Sequence, residues 1–206
     1  MRKSVIFLFY LLLPLAVCAQ TADTEAIRRK VNKAAAEMRT MECDFVQTKQ
    51  LKMLNDKMVS KGRMWYQQKD KLRWEYTSPY TYTFILNGTK VMLRNNSRND
   101  VIDTNQNKMF REIARIMMNS VVGKCLNDDK EYKVAIKAAA GEYVAVLTPL
   151  RKNMRQLFQT ITLHFDQRKN VVTKVELLEK NGDKTVIELK NIKTNHAVNS
   201  KVFAVS

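Results

Sequence analysis

Leu72-Arg73-Trp74-Glu75-Tyr76 decides the fold. Its large apolar side chains fall on every second residue, and successive side chains of a strand point to opposite faces. Leu72, Trp74 and Tyr76 therefore share one face, and Arg73 and Glu75 share the other, which gives a strand with a core side and a water side. Upstream, Cys43, Phe45 and Gln47 alternate with Asp44, Val46 and Thr48, and a turn at Asn55-Asp56 leads to a second run over residues 58–67 that carries Met64 and Tyr66. Downstream, extended runs over residues 80–86, 90–94 and 100–104 are separated by Ser78-Pro79, Asn87-Gly88 and Asn95-Asn96. Short strands at this spacing describe an antiparallel meander.

Two segments break the period of two. Over residues 23–40, Ile27, Val31, Ala34, Ala35 and Met38 recur at three and four, with Asp23 or Thr24 available as N-cap, which predicts an amphipathic helix. Over residues 107–123, Phe110, Ile113, Met117 and Val121 share a helical face, Lys108, Arg111, Arg115 and Asn119 lie mostly elsewhere, and Gly123 is a stop. Extended runs then resume over residues 132–138, 143–148, 157–166, 171–178 and 184–191, with Asn181-Gly182-Asp183 as a hairpin signal. No linker, repeat or low-complexity tract divides the 206 residues, so the expectation is one mainly β domain, a large antiparallel sheet with helices against it. A sheet of about ten strands is near the size at which it must curl, and its concave face must be filled by side chains, a helix or a ligand. Phe45, Met64, Tyr66, Ile161, Leu163, Phe165, Ile187 and Leu189 are expected on that face together with Leu72, Trp74 and Tyr76.

The chain carries 36 Lys and Arg against 20 Asp and Glu, a formal charge of +16 that would ordinarily raise nucleic acid as a partner. Its first residues argue otherwise. Arg2-Lys3, an apolar run from Val5 to Val17 broken by Pro14, and the small residue Ala19 make a secretory signal peptide, and a run of about a dozen is short of the roughly 20 residues that a spanning helix needs. Cleavage after Ala19 is expected, which leaves residues 20–206 as a single domain with a formal +14, exported to a compartment without chromosome or tRNA. Cys18 comes close to a lipoprotein processing box, but Val17 stands where such boxes want Gly, Ala or Ser. The excess charge then reads as a solubilising coat or as attraction to an anionic membrane face or an acidic partner. Cys43 and Cys125 survive processing, and whether they pair is left open.

Chemistry-bearing constellations are mostly missing. His164 alternates with Leu163 and Phe165, so it is expected at the outer sheet surface, and His196 falls in a polar turn. No metal spacing, G-x-S-x-G, P-loop or G-x-G-x-x-G occurs, and neither cysteine has a histidine neighbour to activate it. Asp128-Asp129 and the pair Glu176 and Glu179 read as turn and solvated strand face. No enzyme, metal or cofactor is expected.

The order and spacing of several short motifs over residues 42–94 resemble the periplasmic lipoprotein carrier family LolA. Phe45-x-Gln47 is similar to the family's F-x-Q, Gly62-x-Met64-Trp65 to its G-x-L-W, Leu72-Arg73-Trp74 with Pro79 to its F-R-W and downstream proline, and Asn87-Gly88-Thr89-Lys90 to its D-G-K turn. Asn195 and Val202-Phe203 resemble its closing stretch. The resemblance implies an unclosed β-barrel capped by helices, with an apolar cavity for lipoprotein acyl chains. It also implies an inner-membrane ABC transporter that releases the cargo, an outer-membrane acceptor and a monomeric shuttle, the alternative being a LolA-like sensor or tethered acceptor. On this basis the acyl-chain site is expected at Phe45, Met64, Tyr66, Leu72, Trp74, Tyr76, Phe110, Ile113 and Met117, with the second helix as lid and the chain's 11 methionines as adaptable lining. Many relatives carry Arg-Pro where this chain has Gln68-Lys69, so Lys69 or Lys71 would have to replace a lid latch without the guanidinium fork.

Overall fold

The computed structural model describes residues 15–205, without the side chains of residues 15–22, Lys108, Met109, Ile113, Val121 and Cys125. The expected signal peptide, residues 1–19, falls mostly outside the described residues. Eleven described strands, β1 (Thr40–Leu51), β2 (Asp56–Gln67), β3 (Lys71–Ser78), β4 (Tyr82–Asn87), β5 (Lys90–Asn95), β6 (Asn99–Asp103), β7 (Tyr132–Ala139), β8 (Glu142–Pro149), β9 (Phe158–Asp166), β10 (Val172–Glu179) and β11 (Lys184–Thr194), form one antiparallel sheet. Their order is β6-β5-β4-β3-β2-β1-β11-β10-β9-β8-β7. The sheet is an unclosed barrel wall: β6 and β7 are free edges, and the chain passes between them through α2 (Lys108–Val122) and a 3-10 turn, Lys124–Asn127. The remaining helices are α1 (Leu15–Glu37) and α3 (Lys152–Leu157).

The alternation read from the sequence sets the concave face. Met41, Cys43 and Phe45 on β1, Met64 and Tyr66 on β2, and Leu72 and Trp74 on β3 are all buried there. Phe45 faces Gly62 across the β1–β2 ladder, and a Cβ on Gly62 would lie 2.5 Å from Phe45 Cζ and 1.9 Å from the Glu75 carbonyl oxygen. Only a residue without a side chain lets the ring lie flat across β2. From there Phe45 stacks on Trp74, with ring centroids 4.4 Å apart, and meets Tyr76 edge-on at 5.2 Å.

Helix α1 seals one end of the barrel. Ile27, Val31 and Ala35 are buried, Thr24 Oγ1 donates to the Ile136 carbonyl on β7, and Gln68 Nε2 in the β2–β3 turn donates to the Ala36 carbonyl. A Cβ on Gly123 would meet both Val31 and Phe165, so that glycine lets the turn after α2 pass close to α1 and β9. The helix differs from the sequence expectation by starting at Leu15 and ending at Glu37, so Asp23 and Thr24 are interior residues and not caps. No Gly or Pro lies between residues 15 and 37 to stop it. The boundaries of α2 were legible, since Asn107 Oδ1 accepts from the Phe110 amide and Gly123 takes the left-handed C-terminal position at φ 77.

The convex face is less simple than core on one side and solvent on the other. Over β3–β5 it is covered by the C-terminal segment, where Phe203 packs on Ile85 and Met92, and Arg73 Nη1 and Asn87 Nδ2 donate to the carbonyls of Val202 and Phe203. Arg63 and Arg73 flank Trp65 at 4.7 and 5.8 Å from its ring. His164 is on the convex face as expected, but it is buried and not on the surface. Glu142 at 3.0 Å and Glu176 at 3.2 Å close over its ring, a cross-strand arrangement that single-strand alternation does not show. Cys43 is a free thiol whose pKa burial pushes up to about 12, with the charges of Asp44 and Glu42 acting the same way, so it is inert.

Candidate functional site

The concave face is not filled evenly. Between α2 and the strands lies a cavity of about 280 Å³ lined by Gln47, Trp74, Tyr76, Ile116, Met117, Ser120, Leu157, Phe158, Ile161, Val175, Leu177, Ile187 and Leu189. Strand alternation on β9, β10 and β11 builds one wall from Ile161, Val175, Leu177, Ile187 and Leu189, and α2 supplies Ile116, Met117 and Ser120 as the other. The polar groups are few. Tyr76 Oη donates to Gln47 Oε1 at 3.0 Å, which satisfies both inside the apolar wall, and burial raises the Tyr76 pKa so that it stays a neutral donor. Trp74 is 7% exposed, and its indole N–H faces the Tyr76 hydroxyl.

Of the residues singled out from the sequence, Trp74, Tyr76 and Met117 line this cavity. Phe45, Met64, Tyr66 and Leu72 lie on the same sheet face but outside the lining, as fully buried core. Phe45 contributes indirectly by backing Trp74. Phe110 packs half-buried against the core from α2, and the side chain of Ile113 lies outside the described residues. Lys69 and Lys71 sit in and beside the β2–β3 turn and form no ion pair among the described residues, so the structure brings neither to α2. Lining residues that the sequence reading did not single out are Val175 and Leu177, whose signal is the register of β10 against β9 and β11, and Ile116, Ser120, Leu157 and Phe158.

Helix α2 is tied down by a different group. Arg115 reaches Glu112 at 2.8 Å, Glu131 at 3.2 Å and Asp128 at 3.8 Å, and Arg151 shares Glu131, which is 2% exposed. Burial disfavours the Arg115 charge, but the hydrogen bonds and charges of Glu112 and Glu131 outweigh it and hold its pKa above the usual value. Among the described residues no group of three His, Cys, Asp or Glu side chains could hold a metal ion. A larger depression, about 590 Å³, lies outside the barrel, but its lining includes Glu42, Asp44, Arg63, Lys169 and Lys193, and Arg63 pairs with Glu42 at 2.7 Å. Charged walls of this kind do not receive an acyl chain.

The sequence model of the family described as outer membrane lipoprotein carrier protein LolA matches residues 36–206. The chain belongs to the LolA family. Among curated proteins none matches by sequence. Solved structures share the fold at low identity. MucB has a TM-score of 0.52 at 14% identity, with 89% of this chain covered and 62% of that one, so the present chain spans less than two thirds of MucB. An uncharacterised conserved protein from Thermus thermophilus has a TM-score of 0.52 at 9% identity over 87% of this chain and 92% of that one. Lipoprotein LppX from Mycobacterium tuberculosis has 0.50 at 10% identity over 86% and 98%. Family membership makes the chain a lipid- or lipoprotein-binding protein, and the lining of the cavity under α2 is predominantly apolar.

Proposed function

We infer that this LolA-family protein is an exported carrier that holds lipoprotein acyl chains under α2 and moves them from the inner to the outer membrane. The observation that carries the reading is the cavity itself, apolar on both the strand wall and the helix wall, with a single hydrogen-bonded pair, Tyr76 and Gln47, inside it. Each methylene withdrawn from water contributes about 0.8 kcal/mol, so a wall of Ile, Leu and Val side chains is what an exposed acyl chain requires. At about 280 Å³ the cavity is at the small end of ligand sites, which run from about 300 to 1,000 Å³. A long acyl chain therefore enters only if α2 moves outward, and the half-buried Phe110, Ile116, Met117 and Met118 are suited to a helix that separates from the sheet.

In this reading Arg115 is the latch. Its guanidinium joins Glu112 on α2 to Glu131 beyond the helix, the role for which Lys69 and Lys71 were candidates in the sequence. Export by a signal peptide cleaved after Ala19, cargo release by an inner-membrane ABC transporter, delivery to an outer-membrane acceptor and a monomeric periplasmic shuttle complete the proposal. The test is mass spectrometry of the protein purified from its native envelope. Bound acylated polypeptide and a mature chain beginning at Gln20 are the expected result. A chain anchored through a lipid-modified Cys18 would make it a tethered acceptor, and a chain with no acylated species bound would contradict the carrier reading.

A further inference from the structure

The large apolar side chains left exposed are not scattered. Met53 is 92% exposed, Leu54 71% and Leu157 57%, and Met58, Val59, Tyr80 and Leu150 are exposed as well; only Val101, on the edge strand β6, stands apart from them among the described residues. Register places these seven at one end. Leu51 opposite Asp56 sets the β1–β2 tip, Gln50 opposite Lys184 brings the start of β11 to it, and Leu178 opposite Lys184 brings the end of β10. Glu179 opposite Phe158 adds the start of β9 with Leu157, and Lys61 opposite Ser78 adds the end of β3. Residues 56–60 of β2 run past the last β3 partner, so the β1–β2 hairpin projects beyond the wall, and Met58 and Val59 have no β3 neighbour to cover them.

Leu157 also lines the cavity, so the rim borders the cavity at that side chain. The other end of the sheet, at turns such as Gln68-Lys69-Asp70 and Gln167-Arg168-Lys169, has no exposed large apolar residue among those described. Charge is arranged to match. Lys52, Lys57, Lys61 and Lys180 stand exposed around the rim without ion pairs among the described residues, while Asp183 is buried and accepts from the Lys52 amide at 2.9 Å. Lys49 and Lys184 are neutralised by Glu179 and Glu176.

An apolar tip inside a ring of unpaired lysines is complementary to an anionic bilayer surface, where Met and Leu side chains enter the acyl boundary and lysines remain at the phosphates. We propose that the rim carrying Met53, Leu54 and Leu157 seats the protein on an anionic lipid membrane with the cavity mouth facing the bilayer. The purpose of this seating rests on the carrier reading, but the seating itself is measured on protein without cargo.

The experiment is flotation of the exported protein with vesicles of phosphatidylcholine alone or mixed with phosphatidylglycerol. Binding to the mixed vesicles is expected, falling about tenfold or more in the double variant Met53→Ser, Leu54→Ser, because two side chains lose their apolar burial. It should also weaken as salt rises from 0.1 to 1 M and the screening length falls from about 10 to about 3 Å. Lys90→Glu with Arg168→Glu, at the far end, should leave binding unchanged. Absence of vesicle binding, equal loss from both ends, or a tip that mediates only self-association or binding to a soluble protein overturns the proposal. Acyl-peptide binding by the tip variant separates the two ideas. Retained acyl binding with lost flotation isolates docking, whereas a wild type that floats but binds no acyl chain fails the carrier reading alone.

Discussion

Two helices cover one apolar sheet face, and they cover it differently. Under α1 the face is solid: Val31 and the ring of Phe165 both close on the turn at Gly123, and Val31, Met41, Met64 and Leu72 have no exposed surface. Under α2 the helix residues Ile116 and Met117 remain half-buried and a cavity separates them from Ile161, Leu177 and Ile187. Both helices turn apolar residues toward the sheet, so an inward apolar face alone does not distinguish a plug from a lid. The fit against the opposite wall does, because close-packed interiors lose stability with every void that they fail to fill.

A matched truncation sharpens the contrast. Met64→Ala should cost about 2 to 5 kcal/mol in chemical denaturation, because it opens a void in closed core. Met117→Ala should cost less than about 2 kcal/mol, because its side chain already borders a cavity, yet it should weaken acyl-peptide binding more than Met64→Ala does per unit of stability lost. Equal stability costs with no separate effect on binding would make α2 ordinary core. A smaller effect is expected at the latch. Arg115→Lys keeps the charge but loses the fork that spans Glu112 and Glu131, so acyl-peptide exchange should be a few times faster in stopped-flow measurements, with denaturation nearly unchanged.

Much of this contrast was legible in the sequence, and the reasons differ by element. The period of two placed Leu72, Trp74 and Tyr76 on one face, and Asn107 and Gly123 bounded α2, because alternation and caps are local properties. The short helix α3 was hidden because its six residues bury only Met154, too little for a periodic signal. Phe45, Met64 and Leu72 read like cavity lining because sequence gives the face of a strand but not what stands opposite it. The pairing of Arg115 with Glu131 joins α2 to a residue beyond the next turn, so no spacing rule on the helix reveals it.

The smallest effect concerns the sealed end and pH. Burial disfavours the Glu42 charge, but hydrogen bonds from His196 and Arg63 and the charges of Arg63 and Lys193 hold its carboxyl below the usual range. A depressed folded-state pKa gives stability that is present above the unfolded value of about 4.3 and is lost as pH falls through the folded value. Glu42→Gln should therefore flatten that acidic part of the denaturation profile while leaving acyl binding at neutral pH unaltered. A loss of binding there would join Glu42 to the cavity and blur the distinction between the two ends.

Trp74 tests the central claim most directly, since it is buried in the cavity wall, whereas Trp65, the other tryptophan, lies on the convex face. Titrating the purified protein with an acylated peptide, and with the same peptide lacking its acyl chains, should give a saturable change in tryptophan emission for the acylated form alone. The change should disappear in Trp74→Phe and persist in Trp65→Phe. An emission that does not respond, or that responds equally to the peptide without acyl chains, would contradict an acyl-chain site under α2.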